Sequence, residues 1–291
     1  DFPGGKLTSF DLGPYRFDAG PSLLTMPHFI DELFDLFNEN PRDHFNYKKK
    51  DISCKYFWDD GTKLSAYSDK IKFTKEIENI LGVKQSIVSA YLLKAKKKYE
   101  LTKRMFLEQS LHKLKTYFTK DLLNGVFNIF SFQINKTLNQ VNASELKEPH
   151  LVQLFNRFAT YNGSSPYKTP GMMTLVQHLE QEYGTFVSDK GMQNITNSLY
   201  NLALRQGVDF KFNNYVSEIL VSNKIATGIK VGDKTYESDI VISNMDVVPT
   251  YRNLLKNHYQ PEKILNQERS SSALIFYWGV KKEFKNLDLH N

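Results

Sequence analysis

The chain has 291 residues, which is enough for one large or two ordinary domains with a buried core. Hydrophobic residues make up 41% of it and charged residues 24%, a balance typical of globular proteins and not of disordered ones. No apolar run reaches the roughly 18–20 residues of a membrane-spanning helix. The single cysteine, Cys54, excludes an internal disulfide, and no secretory leader is visible, so we expect a cytoplasmic location.

The formal net charge of +6 comes mostly from lysine. Two stretches, Lys48–Lys50 and Lys94–Lys98, are rich in it. Such clusters are typical of a solvated helix face and a loop. As an alternative, they favour peripheral contact with anionic lipid headgroups on the inner face of the membrane. No nucleic-acid-binding motif accompanies the charge, so we expect no nucleic-acid partner.

The first third of the chain alternates turn signals with extended and helical patterns. Residues 4–23 combine glycine and proline turns with two short extended pieces, Leu7–Phe10 and Tyr15–Phe17. Periodicity predicts the elements that follow: a helix at about 28–38, a hairpin of Ser53–Trp58 and Lys63–Tyr67, and helices at 70–81 and 85–115.

Residues 117–134 are apolar on more than one face, from Phe118 to Ile134. This pattern predicts either a core helix or an amphipathic surface that dips into a membrane or lines an apolar tunnel. A helix is predicted at about 149–160 and a loop at Tyr161–Pro166. Pro170 begins another helix, which runs to about Tyr183 and ends at Gly184.

The character of the sequence changes after residue 186. The predicted order is a helix at 192–206, strands at Val208–Phe212, Val216–Val221, Ile225–Val231, Lys234–Glu237 and Ile240–Ile242, and a helix capped by Asp246. The wholly apolar run Ile240–Ile242 is typical of a strand buried on both faces of a parallel sheet. We also expect a strand at Leu274–Val280 that joins the hairpin at 53–67.

Several catalytic motifs are absent from the sequence. The seven histidines and one cysteine show no metal-binding spacing, and neither a serine-hydrolase elbow nor a phosphate-binding Walker loop is present. Gly-x-Gly-x-x-Gly, which opens a dinucleotide-binding unit, is also missing. Gly4-Gly5-Lys6 is instead typical of the turn that follows the acidic residue that binds the ribose. We therefore expect a fragment, cut through structure at both ends, that lacks the pyrophosphate-binding part in front of Asp1.

The blocks that carry family information occur in a consistent order. They are Gly4-Gly5-Lys6, Phe17–Ser22, Arg157–Pro166, Gly191-Met192 with the helix to Gly207-Val208, and Ser238–Asp246. Together they resemble the carotenoid desaturases, the phytoene-desaturase-like branch of the flavin-containing amine-oxidase superfamily. The resemblance spans about residues 4–280. Tyr161–Pro166 and Ser238–Asp246 are its specific parts, whereas the glycine turn and the Phe17–Pro21 element are shared across many flavin oxidoreductases.

The resemblance implies FAD as the cofactor and a set of residues that would hold it. The set is Gly4, Gly5, Lys6, Asp18, Gly20, Pro21, Val216 and Asn244. The two glycines at 4 and 5 would let the backbone approach the diphosphate and ribose. The family more often has arginine at the position of Lys6. Lysine cannot make the bidentate contact that arginine makes, so binding of the cofactor would be weaker. Val216 would present backbone groups to the adenine, or is an ordinary buried strand residue.

The resemblance also implies a long apolar polyene substrate, such as phytoene. Desaturation moves a hydride from an allylic carbon to the flavin and a proton from the neighbouring carbon, with a quinone as a possible electron acceptor. Candidates for proton handling or cation stabilisation are Arg157, Tyr161, His178 and Glu180. Arg157 could equally pair with a surface acid, and His178 and Glu180 could equally be exposed on a helix.

One position departs from the family pattern. A glycine pair commonly precedes Met192, whereas here Lys190 stands before Gly191. If the lost glycine lets the backbone lie close to flavin or substrate, activity is weakened; if position 190 is a loop edge, lysine is harmless.

The resulting expectation is an α/β protein of two domains. Residues 1–23 and 186–260 form an incomplete FAD/NAD(P)-binding Rossmann-like domain, and residues 24–185 and 261–291 form a mixed helical and sheet domain facing substrate and membrane. The parent activity is FAD-dependent desaturation of a carotenoid precursor such as phytoene, and the isolated fragment is expected to be inactive. The alternatives are a hydroxycarotenoid desaturase, a carotenoid isomerase, another flavin oxidase of this fold, and a non-catalytic substrate-binding fragment.

Overall fold

The computed structural model describes residues 2–103, 110 and 132–291. The chain divides into a larger unit, Gly4–Leu202 with Ser271–Asn291, and a smaller unit, Asp1–Pro3 with Ala203–Ser270. These bounds differ from those of the two predicted domains, which stay a prediction. Among the described residues, no helix combines the length and the apolar character needed to cross a membrane.

The larger unit mixes helices with short antiparallel pairs of strands. Its elements in chain order are β1 Thr8–Leu12, β2 Tyr15–Ala19, α1 His28–Asp35, β3 Tyr47–Lys49, β4 Ile52–Phe57, β5 Lys63–Tyr67, α2 Lys70–Leu81, α3 Gln85–Lys103, α4 Leu138–Leu146, α5 Pro149–Asn156, α6 Val176–His178, β6 Phe186–Ser188 and the start of α7 Gln193–Arg205. Strand β1 pairs with β2, β3 with β6 and β4 with β5. The predicted extended pieces near residues 7–17 and the predicted hairpin near 53–67 are thereby confirmed.

Local chemistry explains where these helices begin and end. The Asp69 side chain accepts a hydrogen bond from Lys72 N at 2.8 Å and so starts α2. Gly82 ends it in a left-handed conformation, φ +69°. Helix α5 begins the same way, because the Glu148 carboxylate accepts bonds from the backbone N–H groups of His150 and Leu151. These caps fix α5, and with it the turn that follows, against the rest of the unit.

The main core of the larger unit lies between the β4–β5 hairpin and the helices. Its fully buried members include Leu64 on the hairpin and aromatic and aliphatic residues of α2, α3 and α5: Phe73, Ile77, Val88, Leu151, Leu154 and Phe155. A second cluster gathers Phe34 of α1 with Phe45, Met192 and Leu202. Because α5 packs against this core on its apolar side, the residues just after its end are held at the edge of the core.

The helix predicted to run from Pro170 to Tyr183 is instead three different turns in succession. Gly171–Leu175 is a 3₁₀-helix, α6 is a single α-helical turn, and Leu179–Tyr183 is a π-helix. Gly184 ends the segment at φ +95°. A π-helix carries more residues per turn than an α-helix, so side chains on it point in directions that an α-helical pattern does not predict.

The smaller unit holds an antiparallel three-stranded sheet and short helices. Its strands are β7 Val216–Ser222, β8 Ile225–Val231 and β9 Lys234–Glu237, in that order. Asn223 and Lys224 both have positive φ, 51° and 65°, which is the geometry of a two-residue hairpin turn. Asp246 caps α8 Val247–Pro249 by accepting from Val248 N at 2.9 Å, and α9 Glu262–Leu265 follows.

Three predicted strands are wrong. Val208–Phe212, Ile240–Ile242 and Leu274–Val280 form no strand, and Ile240 and Ile242 are 75% and 88% exposed where burial was expected. The predicted pairing of Leu274–Val280 with the hairpin is therefore wrong as well. Strands β4 and β5 bond to each other, and Lys55 N donates to His290 O at 3.0 Å. The predicted continuation of α3 to residue 115 and most of the 117–134 segment lie outside the described residues.

Candidate functional site

Three of the four predicted catalytic side chains meet in one polar cluster of the larger unit. Arg157 is the first residue of the 3₁₀ turn after α5, and Glu180 belongs to the π-helix. Arg157 Nη2 donates to both carboxylate oxygens of Glu180 at 2.9 Å. Tyr161 Oη donates to Glu180 Oε2 at 2.8 Å, and Arg157 Nε donates to Tyr56 Oη at 2.7 Å. We call Arg157, Glu180, Tyr161 and Tyr56 the polar cluster.

Burial sets the charges of the polar cluster. The Glu180 side chain is 2% exposed, so its charge depends on its partners. Burial acts to lower the pKa of Arg157, but the neighbouring Glu180 carboxylate outweighs it and raises that pKa above its ordinary value. Burial raises the pKa of Tyr56 and of Tyr161, and Glu180 raises the pKa of Tyr161 further. Both tyrosines are therefore neutral at physiological pH, beside a permanently charged guanidinium: Tyr161 donates to Glu180, and Tyr56 accepts from Arg157.

Three members of the polar cluster, all except Tyr56, line a cleft of about 820 Å³, which we call the central cleft. Gly20 and Pro21 line the same cleft, together with Arg157, Tyr161 and Glu180. The structure thus brings two predicted cofactor-binding residues and three predicted catalytic residues to one space. A cleft of this size accommodates part of a large organic ligand.

His178 is not part of the central cleft. Its ring lies 5.0 Å from that of Tyr99 and borders a separate hollow of about 150 Å³. It is 3% exposed, and burial lowers its pKa. His178 and Glu180 are two residues apart, which on a helix places them on roughly opposite faces. The two-residue spacing in the sequence already indicated that the two side chains face different sides.

The predicted glycine elements contact each other. Gly20 has φ +84°, and a Cβ at this position would lie 1.9 Å from Lys6 O. The Gly4-Gly5-Lys6 turn therefore rests against the start of the Gly20-Pro21 segment. Gly4 and Gly5 are exposed, and a Cβ on Gly5 would meet nothing within 4 Å. The backbone at Gly5 is accessible, as a ligand-binding turn requires, whereas a Cβ on Gly4 would meet Thr196 at 2.6 Å.

Asp18 organises the neighbouring segment instead of standing free. Its Oδ2 accepts from Met192 N at 3.0 Å, and its Oδ1 lies 3.2 Å from Arg16 Nη2. Gly191 has φ +80°, a conformation that favours glycine, and a Cβ there would displace the Asp18 carboxylate, which would lie 2.7 Å away. Lys190 is exposed and does not have a positive φ. This backbone accommodates lysine at 190 without strain.

The other two predicted cofactor residues belong to the smaller unit. Val216 opens β7, pairs with Val231 and is partly buried. Asn244 is exposed, in the segment between β9 and α8. Their predicted roles stay predictions.

Residue-type reasoning missed several groups around the polar cluster. Tyr56 accepts from Arg157, and Cys54 and His290 line the central cleft. Cys54 and Tyr56 are alternate residues of β4, so they share one face of the strand, which is a signal that the hairpin pattern contained. Burial raises the pKa of the Cys54 thiol, which keeps it protonated. No group of His, Cys, Asp or Glu in the described parts of the chain is arranged to hold a metal ion.

Arg157 borders a second space as well. A hollow of about 720 Å³, which we call the side chamber, is lined by Asn139, Gln153 and Asn156 and by Arg157 and Thr160. Arg157 and Thr160 also line the central cleft. These two residues therefore stand between the two spaces.

The chain belongs to the flavin containing amine oxidoreductase family, whose sequence pattern matches residues 1–274. This confirms the predicted family resemblance, the flavin dependence and the oxidoreductase class at the level of the family. FAD supplies a hydride acceptor when it is bound. The accessible glycine turn at 4–5 and the Gly20-Pro21 wall of the central cleft fit such a cofactor.

Curated relatives are carotenoid enzymes. The chain is 52% identical over 291 residues to a 1-hydroxycarotenoid 3,4-desaturase from Flavobacterium sp. (strain P99-3), and this match covers 100% of the chain and 59% of that protein. It is 28% identical to a 4,4'-diaponeurosporene oxygenase from Staphylococcus aureus (strain bovine RF122 / ET3-1), covering 99% of the chain and 58% of the relative. A 4,4'-diapolycopene oxygenase from Methylomonas sp is also 28% identical, with coverages of 100% and 59%. The chain thus spans somewhat more than half the length of these relatives.

Solved structures support the fold. An oxidoreductase from Methanosarcina mazei matches with a TM-score of 0.54 and 14% identity, over 90% of this chain and 55% of that one. A protein from Pyrococcus furiosus matches with a TM-score of 0.59 and 12% identity, over 91% and 57%. Together with the family match, these confirm the predicted α/β fold class.

Proposed function

We propose that this protein desaturates a carotenoid with FAD as the hydride acceptor. The observation that carries the proposal is the central cleft, where Gly20 and Pro21, implied by the family resemblance to hold FAD, share one space with Arg157, Glu180 and Tyr161. A double bond forms between two adjacent substrate carbons when a hydride leaves one of them and a proton leaves the other. FAD would accept the hydride, the proton would pass to solvent, and a quinone would be the final acceptor of the two electrons.

Among carotenoids, we favour one hydroxylated near its end over phytoene. The relative named as a 1-hydroxycarotenoid 3,4-desaturase is 52% identical across the whole chain, whereas the relatives named as oxygenases are 28% identical. Identity at the higher level favours a shared substrate class. The name of that relative numbers the hydroxyl at carbon 1 and the new double bond between carbons 3 and 4.

In the proposed reaction, the polar cluster acts as a fixed electrostatic wall. Arg157 Nη2 donates to both oxygens of Glu180, and Tyr161 donates to the same carboxylate. Because all three side chains are held by one another and by the turn after α5, they are oriented before substrate arrives. Such a wall stabilises positive charge that develops on the substrate carbon as the hydride departs.

The test uses the full-length protein that carries this chain, called the full chain below, with FAD and liposomes that contain a 1-hydroxycarotenoid or phytoene. Under anaerobic conditions, a desaturase bleaches the flavin absorbance as the polyene absorbance moves to longer wavelength, and the product has lost two hydrogens. No bleaching with either carotenoid, and no polyene shift when a quinone is added, would overturn the proposal. A product that has gained oxygen would instead assign the chain to the oxygenases.

A further inference from the structure

The polar cluster retains hydrogen-bonding capacity that the described residues do not use. Arg157 donates through Nε to Tyr56 and through Nη2 to Glu180, and its guanidinium also hydrogen-bonds the Tyr161 side chain. A guanidinium has five N–H groups, so these contacts leave donor capacity unused. Glu180 Oε1 accepts one bond, from Arg157, although a carboxylate oxygen can accept two. The cluster thus offers one donor group and one acceptor site in a cleft wall.

This capacity is unfavourable in a site for a pure hydrocarbon. A hydrocarbon chain that displaces water from the central cleft leaves the spare N–H of Arg157 and the spare lone pair of Glu180 Oε1 without a partner, which costs free energy that the substrate cannot return. An alcohol does the opposite, since a hydroxyl group both donates and accepts. It can donate to Glu180 Oε1 and accept from Arg157, replacing the water that it displaces.

The position of the cluster matches the position of the hydroxyl. In a 1-hydroxy substrate the oxygen is four bonds of roughly 1.5 Å from carbon 4, so the two lie within about 5 Å of each other. A group that recognises this hydroxyl must therefore line the same space in which the 3,4 bond reacts. Arg157, Glu180 and Tyr161 line the central cleft together with Gly20 and Pro21.

We propose that the Arg157–Glu180 pair, supported by Tyr161, binds the terminal hydroxyl of the substrate and selects hydroxylated over unhydroxylated carotenoids. This inference rests on the proposed function and assigns the specificity of the same cleft. Glu180 accepts the hydroxyl proton, Arg157 donates to the hydroxyl oxygen, and Tyr161 fixes the carboxylate through Oε2.

The experiment compares two carotenoids that differ only in the hydroxyl, in the full chain and its variants. Binding is measured as a Kd from quenching of tryptophan fluorescence, and turnover as kcat/KM. We expect the wild type to prefer the hydroxylated carotenoid by about 10- to 100-fold in both measures. Glu180→Gln lowers that ratio at least about tenfold and Tyr161→Phe lowers it about threefold, mainly through weaker binding of the hydroxylated compound. Tyr183→Phe is the matched control, because Tyr183 lies on the same π-helix and its hydroxyl contacts Tyr99 instead.

Glu180→Gln leaves the buried guanidinium of Arg157 without its carboxylate partner, which can prevent folding. A second variant keeps the inference testable in that case. Arg157→Met with Glu180→Leu removes both charges and keeps the volume, an exchange that buried pairs commonly tolerate. It is expected to bind both carotenoids equally. Equal loss of kcat/KM for both carotenoids, with the ratio unchanged in any variant, would overturn the inference and leave the proposed function standing. A wild type that converts neither carotenoid would overturn both.

Discussion

The contact between Gly20 and Lys6 predicts a large and specific loss of stability for Gly20→Ala. A Cβ at position 20 would lie 1.9 Å from Lys6 O, about half an ordinary contact distance. A positive φ of +84° adds strain of about 1 kcal/mol for alanine. The clash cannot be relieved by a rotamer change, since the obstacle is backbone. Strain and backbone displacement together should cost about 3–4 kcal/mol.

Gly13→Ala is the matched control for this substitution. Gly13 also has a positive φ, +60°, but a Cβ there would meet nothing within 4 Å. Gly13→Ala should therefore lower the free energy of unfolding only through backbone strain at positive φ, by about 1 kcal/mol. Urea unfolding can be followed by the fluorescence of Trp58 and Trp278, which both belong to the larger unit with both glycines. Equal losses for the two variants would refute the reasoning, because the difference between them measures the clash.

Three further predictions follow from single side chains. Burial lowers the pKa of Lys98 to about 8, from 10.5, so between these values the unfolded chain holds the proton that the folded chain has released. The free energy of unfolding of the wild type, measured relative to that of Lys98→Met, should therefore rise by up to about 2 kcal/mol from pH 8 to 10.5. A constant difference between the urea midpoints of the two proteins across that range would contradict this. Asp69→Ala removes the cap of α2 and should lower stability by about 1 kcal/mol in the same assay, whereas Asp59→Ala in the neighbouring hairpin turn should have a smaller effect. Lys190→Gly should leave the flavin content per chain unchanged, because position 190 does not need glycine; a marked gain in flavin absorbance would show that the lysine interferes.

Local signals in the sequence predicted the helices and hairpins well. Asp69 and Gly82 bound α2 at the predicted residues, and β7 and β8 lie where strands were predicted, joined by the Asn223-Lys224 turn. Such elements are encoded by neighbours in the chain, through caps, turns and periodicity. The same kind of signal misjudged Ile240–Ile242, since an apolar run shows only that burial would be favourable. A strand also needs a partner with free backbone groups, and that partner is not a local property.

The sequence predicted which residues belong to the site but not which of them contact one another. Arg157, Tyr161 and Glu180 were selected for their chemistry, and the structure joins them through bonds that span up to 23 residues. His178 was selected on the same grounds and lies elsewhere, because the helix turns roughly 200° between 178 and 180. Tyr56 escaped notice, because an aromatic residue in a strand usually packs into the core and only the three-dimensional contact shows its hydroxyl against Arg157.

Arg157 and Thr160 line both the central cleft and the side chamber, so they form a boundary between the two spaces. Under the proposed function, a rigid polyene entering the cleft end-on would be stopped at this boundary, and the guanidinium would set how far along its length the molecule can advance. The reacting bond would then be chosen by counting carbons from the barrier. Shortening the barrier with Arg157→Ala would open a corridor into the amide-lined chamber, and a longer or differently substituted chain could slide past the original stopping point.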